Sequence, residues 1–168
     1  MAGMTDATVR PARSDEVRRI GALTVEAYRA GGYITGSGTG YATVLADADA
    51  RFRSAELLVA VDGAGGLLGT VTLALPGTPF AEISRAGELE FRMLAVTPEA
   101  RGRGVGESLV RAAIARARDL ALHRVVLCSS VEMTPAHQLY ERLGFARLPA
   151  RDWQPGPEVR LIAFALDL

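Results

Sequence analysis

Apolar residues along this chain recur with two periods, and the period changes from segment to segment. Val17, Ile20, Leu23, Thr24, Ala27 and Tyr28 have the spacing of one helix face, and Ser14 stands where an N-cap belongs. Gly31-Gly32 stops that helix. A glycine-rich stretch runs on to Gly40, with Tyr33 inside it and Tyr41 just beyond, and a second helix is predicted from Ala42 to Phe52. Thr8–Pro11 reads as a short first strand. Apolar runs of strand length follow at Leu57–Val61 and Leu67–Leu75, joined through Asp62-Gly63 and closed by Pro76-Gly77. Glu88–Val96 is the next predicted strand.

The longest amphipathic stretch runs from Gly104 to Ala121. It puts Val105, Leu109, Val110, Ala113, Ile114, Ala117 and Leu120 on one side, and Glu107, Arg111, Arg118 and Asp119 on the other. Such a helix lies against a sheet. Arg124–Ser129 is another apolar strand. Thr134 fits an N-cap with Pro135 at the first helical position, and Ala136, Leu139, Tyr140 and Leu143 share a face up to the stop at Gly144. Val159–Leu166 is the last strand. Strands come first as a meander and later alternate with helices, which predicts an α/β fold with a mixed sheet flanked by helices.

Composition narrows this only a little. The 168 residues suit one domain, 1–168, with a full core. No run approaches the roughly 18 to 20 apolar residues of a membrane span, and the polar Thr5-Asp6 breaks any signal-peptide pattern. No membrane association and a cytoplasmic location are therefore expected. Cys128 is the single cysteine, so no internal disulfide forms; within an apolar strand its thiol is expected to be unreactive. Nineteen basic residues balance nineteen acidic ones, so no global field attracts nucleic acid. Every basic residue is arginine, which rules out regulation by lysine self-acetylation.

Chemistry concentrates at Arg101-Gly102-Arg103-Gly104-Val105-Gly106, between a strand and a helix. A glycine-rich turn that opens a helix aims unpaired N–H groups at one point, and the helix dipole adds roughly half a positive charge. The arginines add charged donors at the rim. A phosphorylated ligand is the expected occupant. The rival Walker-type loop needs a closing G-K-[ST], which is missing here.

The same stretch resembles the acyl-CoA signature of the GNAT superfamily of N-acetyltransferases, R/Q-x-x-G-x-G/A, through Arg101, Gly104 and Gly106. Leu89–Glu99 resembles the family's fourth strand, and Leu139-Tyr140-Glu141-Arg142-Leu143-Gly144-Phe145 its later motif. The resemblance runs from about Thr8 to Leu168. It implies a mostly antiparallel central sheet, splayed between the fourth and fifth strands, and acetyl-CoA as co-substrate with no metal. By the same resemblance the backbone of Leu94, Ala95 and Val96 pairs with the pantetheine arm. Arg101, Gly102, Arg103, Gly104, Val105, Gly106, Glu107 and Ser108 then take the pyrophosphate. An asparagine that many relatives use near the arm is replaced by Met133, and Ser129 or Ser130 can stand in for it.

The implied reaction is direct attack of an amine on the thioester in a ternary complex. A primary amine with a pKa near 10.4 must lose a proton on or before attack, to a carboxylate or an ordered water chain. An N–H near Leu94–Val96 can stabilise the oxyanion. Tyr140 matches the family's general acid; its alternative is packing beside Leu139 and Leu143. Glu90 matches the general base, with water or Glu88 as alternatives, and a plain Glu90–Arg92 ion pair as the structural alternative. His137, one turn before Tyr140, either assists proton movement or is a surface residue.

For the acceptor, a small-molecule amine or a peptide amine, the resemblance points to a mobile lid at Gly31–Tyr41 and to Pro149–Pro157. Tyr33, Tyr41 and Trp153 can wall a pocket, Glu90 and Asp152 add negative charge, and Arg92 or Arg151 can hold a carboxylate. Pairing of late strands in relatives suggests a homodimer. A non-catalytic acyl-CoA-binding sensor or interaction module is the alternative from another class.

Overall fold

The computed structural model describes residues 6–34 and 40–168. Among them, eight strands run β1 (Thr8–Pro11), β2 (Glu56–Val61), β3 (Leu67–Ala74), β4 (Glu88–Val96), β5 (Arg124–Ser130), β6 (Ala146–Arg147), β7 (Trp153–Gly156) and β8 (Val159–Asp167). The α-helices are α1 (Val17–Ala30), α2 (Tyr41–Ala46), α3 (Ala48–Ser54), α4 (Val105–Asp119) and α5 (Thr134–Arg142). The strand order is β1-β2-β3-β4-β5-β8-β6, with β7 also on β8. This is the mixed, helix-flanked sheet expected from the sequence. The chain packs as two compact units, Met1–Leu73 with Met93–Ala112, and Ala74–Arg92 with Ala113–Leu168. Among the described residues, no helix is long and apolar enough to cross a membrane.

In the first unit β1, β2 and β3 pair antiparallel. The apolar face of α1 meets the sheet: Ile20 packs with Ala48, Leu57, Val59 and Val61, while Leu23 and Ala27 pack with Ala95. Helix α1 starts differently from expectation. Ser14 opens a 3₁₀ turn, Ser14–Glu16, and supplies no cap. The residue before α1 is Glu16, whose carboxylate makes no cap bond to the helix and folds back on the 3₁₀ turn instead: it accepts the Arg13 N–H at 2.8 Å and the Arg10 guanidinium at 2.6 and 3.0 Å.

Those hydrogen bonds from Arg10, with the Arg13 N–H and both arginine charges, outweigh burial and lower the Glu16 carboxyl to about 2. The folded value lies below the ordinary 4.5, so the stabilisation is complete above about pH 4.5 and is lost as pH falls towards 2. Glu16→Gln should cost about 1–2 kcal/mol at pH 7. In thermal melts, its gap to wild type should close between pH 4.5 and 2.

The helix expected over 42–52 is two helices. Asp47 breaks it with ψ near 69° and caps α3 by accepting the Ala50 N–H at 3.0 Å. The break strands the last carbonyls of α2. Arg51, at 0% exposure, donates to those of Val44 and Leu45 at 3.0 and 2.9 Å. A buried cation thus satisfies carbonyls that the helix itself leaves unpaired.

In the second unit, β4 and β5 pair in parallel through Glu88–Arg124, Leu89–Val125 and Glu90–Val126. Strand β5 then pairs antiparallel with β8 along its whole length, from Arg124–Asp167 to Ser130–Leu161. The short strands β6 and β7 add to β8; β7 falls within Pro149–Pro157, read from sequence as a loop, and β6 just before it. Helix α5 starts one residue earlier than expected. Met133 is its N-cap residue, without a side-chain bond, and Thr134 lies inside the first turn. Its buried side carries Tyr140, whose ring meets Phe91, Phe145 and Phe164 at centroid distances of 5.7, 6.0 and 5.7 Å.

Candidate active site

Strand β4 bends within its own length: Met93 has φ 53°, a left-handed conformation that a bulky residue rarely adopts. Such a residue re-aims the strand beyond it. Ala95 turns its side chain to Leu23 and Ala27, and Leu94 and Val96 are half-buried. The parallel register of β4 with β5 covers Glu88 to Glu90.

A 3₁₀ turn at Pro98–Ala100 leads into Arg101–Gly104, four exposed residues. Gly102 and Gly104 have φ of 75° and 79°, values that a side chain would strain. Helix α4 then starts at the buried Val105. The Ser108 N–H and hydroxyl both donate to the Gly104 carbonyl, at 3.0 and 3.1 Å. The N–H groups of Val105, Gly106 and Glu107 therefore have no i−4 carbonyl within the helix. This start of a fifteen-residue helix suits a pyrophosphate. Arg101 reaches back to α1: its Nη2 donates to the Ala27 carbonyl in the last turn of that helix, at 2.9 Å. Glu107 pairs with Arg111 at 3.6 Å.

Glu90 is fully buried on β4. Its Oε1 accepts three successive backbone N–H groups, from Glu82, Ile83 and Ser84, at 2.9, 3.0 and 3.0 Å. Its Oε2 is buried and has no partner among the described residues. Three donors on one oxygen match an acceptor-only carboxylate and fix its orientation. Arg92 does not pair with Glu90. It pairs with Glu82 at 2.7 Å and donates to the Phe80 carbonyl at 3.1 Å. Burial pushes the Glu82 carboxyl above its usual range, with the Glu90 charge adding to the push and Arg92 opposing it.

Glu88 is occupied. Arg151 forks onto it at 2.6 and 3.0 Å, the Arg85 N–H donates at 2.7 Å, and Arg124 stands at 3.4 Å. Burial pushes the Glu88 carboxyl up, but these hydrogen bonds and the two arginine charges prevail and hold it below the usual range. The alternative base is thus committed to an ion pair. Arg151, read from sequence as a possible carboxylate holder, is committed with it.

Tyr140 is 4% exposed, and burial raises its phenol above the usual value of 10. No described residue hydrogen-bonds its hydroxyl. His137 is half-buried: Nε2 lies 3.0 Å from the Ser129 hydroxyl, and the ring is 5.2 Å from that of Phe164. Burial lowers its pKa. Cys128 is a poor nucleophile, its thiol pushed up to about 12 chiefly by burial. Trp153, on β7, is 36% exposed. Asp152 pairs with Arg147 and accepts the Ala163 N–H at 2.8 Å.

Tyr33 and Tyr41 both stack edge-on against Tyr28, at 6.4 and 6.2 Å. The centre of the expected lid, 35–39, lies outside the described residues. The sequence reading missed Glu82 and the three N–H groups around it. The run 79–87 has neither helical nor strand periodicity, so nothing in it signals a grip on Glu90.

The profile of the Acetyltransferase (GNAT) family matches residues 17–145. A mycothiol acetyltransferase from Arthrobacter sp. (strain FB24) is 42% identical over 108 residues, 64% of this chain and 32% of that protein. The chain spans about a third of the length of the first curated relatives it matches. An acetyltransferase of GNAT family from Staphylococcus aureus Mu50 has the same fold, with TM-score 0.75 at 12% identity over 96% of this chain and 99% of that one. So does yncA from Salmonella typhimurium with its cofactor acetyl-CoA, with TM-score 0.67 at 22% identity over 96% and 94%. A family profile matched across most of the chain, with the fold repeated in solved relatives, makes this protein a member of the GNAT acetyltransferase family.

Proposed function

We propose that this chain is an acetyl-CoA-dependent N-acetyltransferase that transfers the acetyl group directly to an amine. The observation that carries the reading is Glu90, a fully buried carboxylate with one oxygen gripped and the other unpartnered. Burying such an oxygen is costly unless it serves a ligand or a proton. The exposed glycine turn and the start of α4 support a pyrophosphate site, with N–H groups from Gly102 to Glu107 as donors, Ser108 closing the first helical turn on the Gly104 carbonyl, and Leu94–Val96 along the arm. Arg101 contributes by holding the end of α1. Bound there, acetyl-CoA supplies an activated acetyl group on a thioester.

Glu90 Oε2 takes the proton of the attacking ammonium, directly or through water, while the bonds to Oε1 keep it aimed. Tyr140 donates a hydrogen bond, and finally a proton, to the departing thiolate. Its raised pKa keeps the phenol protonated at neutral pH, so it contributes no titration to the rate below about pH 10. Arg92 and Arg151 are engaged by Glu82 and Glu88, which favours an acceptor recognised through its ammonium group. We further propose that the chain works as a single domain. We propose likewise a cytoplasmic location and a homodimer.

The test is free-thiol release from acetyl-CoA across ethanolamine, putrescine, spermidine, glucosamine, amino acids, short peptides and mycothiol-related amines, the last because of the matched relatives. Amine-dependent release is the expected result. Tyr140→Phe should lower turnover by about 10²-fold, with acetyl-CoA binding by calorimetry unchanged within a few-fold. Acetyl-CoA binding without turnover of any amine would favour a non-catalytic binding module. Absence of acetyl-CoA binding would refute the reading of the glycine turn.

A further inference from the structure

The three N–H groups on Glu90 belong to an aperiodic segment, and that segment is itself held by one side chain. Arg151 Nη1 donates to the Ile83 carbonyl at 3.1 Å, and the Ile83 N–H donates to Glu90 Oε1 at 3.0 Å. The same guanidinium forks onto Glu88 at 2.6 and 3.0 Å, and the Glu88 carboxylate also accepts the Arg85 N–H at 2.7 Å. Both side chains are nearly out of solvent, at 9% and 2% exposure. Arg151 thus ties the middle of the segment, and Glu88 ties its end at Arg85.

We infer that the Glu88–Arg151 pair is the positioning device for Glu90: it locks 82–84 so that three N–H groups meet Oε1 and Oε2 alone is left for proton transfer. The inference rests on Glu90 being the base. A lysine at 151 keeps the charge, but it cannot fork onto a carboxylate and reach a carbonyl at once. Glutamine at 88 keeps the shape and loses the charge. Either change should let the segment slacken and Oε1 and Oε2 exchange roles, without touching the pyrophosphate turn.

The experiment uses the full chain carrying Arg151→Lys, Glu88→Gln and Glu90→Gln, and Arg151→Lys combined with Glu90→Gln. Amide hydrogen exchange by NMR should speed up by about tenfold or more at Glu82, Ile83 and Ser84 in the first two variants, with β5 and β8 amides unchanged. With acetyl-CoA and the most active amine of the panel, kcat should fall by about tenfold in Arg151→Lys, the KM for acetyl-CoA staying within twofold. In the Glu90→Gln background the same change should cost almost nothing, because the group being aimed is gone. Unchanged exchange at 82–84, or a kcat loss that persists in full without Glu90, would overturn the positioning role. If Glu90→Gln alone keeps full activity, the base assignment fails, and the exchange data still report separately on the grip. Should Arg151→Lys prove unstable, Glu88→Gln reads the same couple from its other side.

Discussion

Glu90→Gln is expected to lower kcat by about 10²-fold while leaving the fold and acetyl-CoA binding intact. Glutamine has the shape of glutamate, and its one oxygen can still accept the N–H groups of Glu82, Ile83 and Ser84. Those donors dictate which way the amide faces, so its NH2 replaces Oε2. An NH2 there cannot take a proton from an ammonium. The loss is therefore chemical, and it should appear in kcat with the KM for acetyl-CoA unchanged. Glu90→Ala is a poorer probe. It would remove the acceptor of three part-buried N–H groups, free the segment that carries them, and confuse folding with catalysis. A Glu90→Gln enzyme within threefold of wild type would mean that water alone serves as base.

The largest stability effect is expected at Gly21, in the middle of α1. In an isolated helix, Gly→Ala gains roughly 1 kcal/mol. Here a Cβ would stand 2.1 Å from the Ala46 carbonyl oxygen and 2.9 Å from its carbon. These are backbone atoms at the end of α2, and they cannot swing aside as a side chain can. Gly21→Ala should therefore destabilise by about 3 kcal/mol or more, a fall in Tm of roughly 6–12 °C for a chain of this size. Gly63→Ala is the control: its Cβ meets nothing within 4 Å. Thermal melts of the two variants decide it. A Gly21→Ala protein that melts at or above wild type would show that α2 can withdraw from α1 at little cost.

Both predictions turn on facts of different visibility. Periodicity alone placed α1, β2, β3, β4, α4, β5 and β8 to within a few residues, because each repeats its apolar spacing over five or more positions. It failed at 42–52, where apolar residues continue across Asp47 although the backbone breaks. A short polar side chain that caps its own downstream N–H groups has no periodic signature. It also passed over β6 and β7, each of four residues or fewer and exposed for most of its length. Such strands exist because β8 offers an edge to pair with, and an edge is a property of the folded sheet.

The glycine turn was legible for a local reason: left-handed φ at Gly102 and Gly104 and the helix start after them concern consecutive residues. Tyr140 and Glu90 were legible by resemblance to a family motif. Partner choice among the charges was not. Alternation along β4 suggested Glu90 with Arg92, yet Arg92 took Glu82, and Glu88 took Arg151 from 63 residues away. Arg101 reached Ala27, 74 residues back. Sequence by itself determined most of the elements, the glycine turn ahead of α4 and the residue types available for chemistry, since all of these depend on near neighbours. Only tertiary structure decided which carboxylate is spent on an ion pair and which keeps an oxygen free. A charge pairs with whatever the folded backbone brings within about 3 Å, and burial then sets how much that pairing matters.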